Sequence, residues 1–171
     1  MFANSRTEQN VRTTSAKPLT SSAVATSAQA YGALGWNVTG TANGVSLITD
    51  EAICAIEVTG ELVDGVREYM RANRMTGPVI EIPGTERREI HLATGVAKAS
   101  MAIEALRARG AIVHLDGAGV PLPPTQLTKG TARWIVAPEA ARWIPPVVAL
   151  GAAVRAAATR TARKAAERAA S

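Results

Sequence analysis

Apolar residues along the chain fall into short runs separated by turn-forming residues. Val45–Ile48, Ala52–Val58, Pro78–Ile82, Glu89–Leu92, Ala111–Leu115 and Arg133–Val136 are four to seven residues long, rich in Val and Ile, and end near Gly, Pro, Asp or Thr. Runs of this length and composition predict β-strands. Ala52–Val58 lacks polar alternation until Glu57, which predicts a central strand covered on both faces. A different period appears between them. Glu61–Asn73 brings Leu62, Val66, Tyr69 and Met70 to one side at helical spacing, and Lys98–Arg109 does the same with Met101, Ile103 and Leu106 before Gly110. A helix is also predicted over Ala23–Leu34, capped by Ser21 or Ser22 and stopped by Gly35. Pro145-Pro146 interrupts the chain ahead of Val147–Ala170, whose Ala and Arg content favours helix. Strands and helices alternate irregularly, so the expected class is α+β with a mixed β-sheet core and packed helices.

Composition divides the chain into three parts. Residues 1–22 are rich in Ser, Thr, Asn and Gln and bury too little to offset chain entropy, so they read as a disordered N-terminal arm. Residues 23–145 form the expected domain, and 146–171 a basic helix or tail. The 171 residues, 47% hydrophobic, suffice for one domain. The net charge of +5 suggests nucleic acid until it is located. Residues 18–150 hold 11 basic and 12 acidic groups, so the body is near neutral and the excess lies at the ends. A single cysteine, Cys54, excludes an intramolecular disulfide and reads as a small buried hydrophobe. No apolar stretch approaches the roughly 18 residues of a membrane span, and no secretory apolar segment follows Met1, so a cytoplasmic protein without membrane partner is expected.

The order of landmarks resembles a known family. Tyr31 followed by Gly35-Trp36-Asn37-Val38, then Gly77-Pro78, Arg88-Glu89-Ile90-His91-Leu92, Asp116-Gly117 through Pro123-Pro124-Thr125, and Gly130 through Arg133-Trp134 are similar to motifs of the bifunctional DNA primase/polymerase N-terminal domain. That domain belongs to the archaeo-eukaryotic primase superfamily. The resemblance covers about residues 23–145. It implies an RRM-like unit packed on a small α/β unit, and a chemistry in which two divalent metals, Mg or Mn, join nucleotides to a 3′ hydroxyl.

The carboxylates that such chemistry requires are mostly missing. Glu57 matches the first acidic position, but Thr59 stands where the second carboxylate belongs. The third acidic position falls on Ile112, with Asp116 in the adjacent loop. A hard divalent cation needs several oxygen ligands. The resemblance therefore implies a degenerate member with no cofactor, in which Glu57 and His91 are catalytic remnants. Glu89, His91, Asp116 and Lys129 are its candidate nucleotide-binding residues, and Glu57 and Asp116 would hold metal only in an active protein. On strand parity, Glu89 and His91 share a polar face with Arg87 that could line a cleft. His114 reads as an ordinary strand residue, and Trp36, Trp134 and Trp143 as packing residues.

In the last segment, Arg155, Arg160, Arg163, Lys164 and Arg168 recur at helical spacing and are candidate phosphate contacts. Three functional readings follow. The first is a non-catalytic primase/polymerase-like accessory or regulatory protein of replication, associated with DNA through its basic tail or with a helicase-type protein. The second is an active metal-dependent nucleotidyltransferase with a rearranged site of Glu57, Asp116 and His91. The third is a protein-interaction module with no nucleic-acid role.

Overall fold

The computed structural model describes residues 19–170; the expected arm at 1–22 falls largely outside them. The first helix, α1 (Ser21–Ala33), is capped by Thr20, one residue before the expected serines. Its hydroxyl accepts the Ala23 N–H at 3.2 Å. Next come β1 (Val38–Thr41), β2 (Gly44–Ile48), β3 (Cys54–Thr59), α2 (Leu62–Ala72), β4 (Val79–Ile82) and β5 (Arg88–Ala93). A 3₁₀ turn at Val96–Lys98 leads into α3 (Ser100–Arg107), β6 (Ile112–His114) and β7 (Gly119–Leu122). The short pair β8 (Gln126–Leu127) and β9 (Gly130–Thr131) precedes β10 (Arg133–Val136) and the long α4 (Val147–Ala169).

The class is α+β, as the pattern predicts. The strand pairing departs from the expected mixed sheet: every ladder among the described strands is antiparallel. The central sheet has the order β10-β4-β5-β3-β6. Strands β3 and β4 run parallel, but the α2 crossover leaves one slot between them, and β5 fills it antiparallel. The α3 crossover from β5 to β6 does the same around β3. Two interleaved split β-α-β units of this kind make the ferredoxin-like or RRM-like arrangement.

The central sheet is covered on both faces, which explains why β3 lacks alternation. On one face Cys54, Ile56 and Val58 pack against α2, α3 and α4 through Val63, Val66, Leu106 and Leu150. On the other, Ala55, Ile80, Ile90 and Leu92 meet α1 and a three-stranded sheet of order β1-β2-β7. Tyr31 and Trp36 stack there with ring centroids 5.8 Å apart, and Trp134 closes the cluster. The Trp134 indole N–H donates to the Tyr31 hydroxyl (3.0 Å), which donates to the Pro123 carbonyl (2.6 Å).

Helix α4 is no detached tail. Val147, Leu150, Ala153, Val154 and Ala157 are buried in the helical core, and only the turns beyond them project outward. The sequence alone marks a boundary at residue 146 because Ala and Gly disguise a packing face. At Gly65 a Cβ would lie 2.6 Å from the Ala157 Cβ, so α2 and α4 meet almost backbone to backbone. Among the described residues no helix is long and apolar enough to cross a membrane.

Candidate functional site: an ion-paired cleft

Side chains directly opposite in a ladder share a face. In the β3–β5 ladder Glu57 faces Ile90 and Ile56 faces His91. Glu57 and His91 are therefore on opposite faces of the sheet. Asp116 sits exposed in the β6–β7 turn with a left-handed backbone (φ 53) and does not line the cleft around Glu57. The grouping of Glu57, His91 and Asp116 is not assembled.

What surrounds Glu57 is different. In the β3–β6 ladder it lies opposite Ile112, two residues from His114 on the same face, and β5 brings Arg88 beside it. The Arg88 Nε donates to Glu57 Oε1 at 2.7 Å, with Nη2 2.5 Å from the same oxygen. His114 Nε2 is 3.0 Å from Oε2. The Glu57 side chain is only 3% exposed. The His114 hydrogen bond, reinforced by Arg88, holds the Glu57 carboxyl below the usual carboxylate range against the opposing effect of burial. Both carboxylate oxygens are thus held by cationic or hydrogen-bonding side chains.

This cluster floors a cleft of about 510 Å³ between the central sheet and the β7–β9 region. Ile90, Pro121 and Leu127 give it an apolar wall, while Arg88, His114, Lys129 and the acidic Glu86 supply polar groups. Lys129 lies at its rim, with Nζ 3.4 Å from the Thr85 hydroxyl. The residues present do not fit a two-metal centre. Of the two carboxylates that line the cleft, Glu57 and Glu86, Glu57 is already bonded by Arg88 and His114, and Ile112 offers no oxygen. Among the described residues no three His, Cys, Asp or Glu side chains group as metal ligands.

Glu89 and His91 do share a face with Arg87, as their parity predicts, but that face lies under α2. Both are buried, 3.6 Å apart. Arg67 of α2 hydrogen-bonds Glu89, and Arg87 reaches from Glu89 to Asp64. Burial pushes the Glu89 carboxyl up, but His91 and Arg67 outweigh it and hold it below the usual range. This network ties α2 to the sheet and does not open into the cleft of Glu57.

The basic helix face is also partly engaged. Arg160 donates to the Gly65 carbonyl at 2.7 Å and lies 3.4 Å from Glu68; Arg163 lies 3.4 Å from Glu167. Lys164 and Arg168 border a groove with Glu61 and Asp64. Arg155 is exposed.

Sequence reasoning missed His114 and Arg88 as partners of Glu57. A signal existed for Arg88, which alternates with Ile90 and Leu92 on one strand face. None existed for His114, because the β3–β6 register is set by tertiary packing. Comparison with protein-family models, with curated proteins and with solved structures returns no match.

Proposed function

We propose that the chain is a primase/polymerase-like domain without metal-dependent nucleotidyl transfer, acting as an accessory module that takes a phosphorylated ligand, a nucleotide or a strand end, in the Glu57 cleft. One observation carries this reading. The carboxylate that would anchor a catalytic cation is instead bonded by Arg88 and His114, and an isoleucine occupies the neighbouring register position. Arg88, His114 and Lys129 in a concave, partly apolar site suit a phosphate attached to an apolar or aromatic body. Attraction of nucleic acid to the exposed side of α4 adds a non-specific component through Arg155, Arg163, Lys164 and Arg168.

Primer extension with Mg²⁺ or Mn²⁺ tests the loss of catalysis. No incorporation is expected, and incorporation abolished by Glu57→Ala overturns the reading. Thermal melting with nucleoside mono- and triphosphates tests the ligand, because a ligand specific to the folded state raises the midpoint. The rise should persist with chelator present and disappear in Lys129→Ala. The DNA component is tested by changing Arg163, Lys164 and Arg168 together to Gln.

A further inference from the structure

The segment joining β10 to α4 carries Trp143 with 46% of its surface exposed. This segment is anchored. Ala140 and Ala141 donate their N–H groups to the Ala137 carbonyl at 3.0 Å. Thr94 donates to the Pro145 carbonyl at 3.0 Å, and Val147 donates to the Thr94 carbonyl at 2.9 Å. Beneath it lies Gly77, where a Cβ would come 2.2 Å from Pro145 Cδ and 3.2 Å from the Trp143 carbonyl. The segment therefore rests on bare backbone, and the indole is held outward by a fixed main chain.

A groove flanks the ring on each side. The first, about 370 Å³, is walled by Trp36, Pro78, Pro138, Ile144 and Leu34, itself 48% exposed. The second, about 350 Å³, is formed by Arg74, Thr76, Ala140 and Arg142, and Arg142 borders both. Among the described residues no acidic side chain lines either groove. Apolar surface exposed on a rigid support marks interaction sites, and Trp and Arg are the residues that most often dominate binding energy.

We propose that this face docks an acidic segment of a protein partner bearing one apolar anchor. The anchor enters the groove beside Leu34 and Trp36 and packs on Trp143. Carboxylates flanking it meet Arg74 and Arg142, which supplies charge complementarity. A single nucleic-acid strand fits less well, because it needs a cationic groove that follows its backbone, and the two grooves carry only Arg74 and Arg142 as cations. The site is separate from the Glu57 cleft, and the two readings stand or fall independently.

Titration of the full chain with a fluorescently labelled Asp/Glu-rich peptide carrying a central Phe-Leu pair tests the proposal. Binding should weaken by about tenfold or more in Trp143→Ala and in Arg142→Glu. It should also weaken when the Phe-Leu pair is replaced by Ala-Ala. Both substituted positions are exposed, so the variants should keep the parent's melting midpoint. Three results overturn the proposal: no binding at millimolar peptide, binding indifferent to both variants, or Trp143-dependent binding of oligo-dT that is tighter than that of the peptide.

Discussion

Replacing Arg88 by Ala removes two of the contacts that hold Glu57, at 2.7 and 2.5 Å, and leaves His114 at 3.0 Å. The carboxylate stays 3% exposed, so water replaces the guanidinium only in part. Breaking a fully buried pair costs about 3–5 kcal/mol, and breaking a surface pair about 0–1 kcal/mol. Arg88 is 41% exposed and lies between these limits. The expected loss is about 2 kcal/mol, or about 4–8 °C in melting temperature for a chain of this size. Urea denaturation of the parent, Arg88→Ala, Glu57→Gln and the double variant at pH 7 measures both the loss and the coupling. A coupling energy of about 1–2 kcal/mol is expected, as for groups in direct contact.

The pH dependence gives a second reading of the same pair. The folded-state pKa of Glu57 is lowered, so its stabilisation is fully present above the unfolded carboxylate value near 4.3. It is lost as pH falls from there through the lowered folded value. The stability gap between parent and Glu57→Gln should hold at neutral pH and close in that acid window. Arg88→Ala within about 0.5 kcal/mol of the parent, or a gap unchanged in acid, refutes the ion-paired account of the cleft.

Gly65→Ala should destabilise by about 1–3 kcal/mol through overpacking against Ala157, although Ala is the better helix former; thermal melting reads the sign. Tyr31→Phe should cost about 1–2 kcal/mol, because Pro123 loses its donor and the Trp134 N–H its acceptor; denaturant titration measures it. Burial pushes the Cys54 thiol up to about 11, so it should resist a disulfide reagent at pH 8 in the native state and react on unfolding.

The elements that were legible in the sequence are those with strong local periodicity. The predicted helices and the apolar strands are all present, since runs such as Ile53–Val58 and the Leu62, Val66, Met70 spacing fix local structure by burial alone. Strands β1 and β7 were not legible. Residues 38–41 form a mostly exposed edge with Thr and Gly, and Pro121 interrupts 119–122. The site failed for another reason. Both faces of β3 are covered, so parity along that strand carries no sign of which face Glu57 takes. Only the pairing of Glu57 with Ile90 and Ile112 decides it, and pairing belongs to the tertiary fold. A lone indole in a sequence reads as a packing residue, yet Trp143 is 46% exposed on a segment seated against Gly77, a contact that has no local sequence signal.

The distribution of charge follows the same logic. The chain's +5 is concentrated near its ends in the sequence, yet in the fold α4 lies along α2, whose exposed edge carries Glu61, Asp64 and Glu68. Arg160 reaches both a backbone carbonyl of α2 and Glu68, while Lys164 and Arg168 face Glu61 and Asp64 across a shared groove. Exposed pairs of this kind contribute little stability each. Together with the Gly65–Ala157 contact, they fix the direction in which α4 leaves the core. A basic segment placed against an acidic edge presents a weaker field to a polyanion than its count of arginines suggests. The proposed recognition of a ligand and of a partner therefore rests on the two places where charge meets a shaped apolar surface: the cleft lined by Arg88 and His114, and the paired grooves at Trp143.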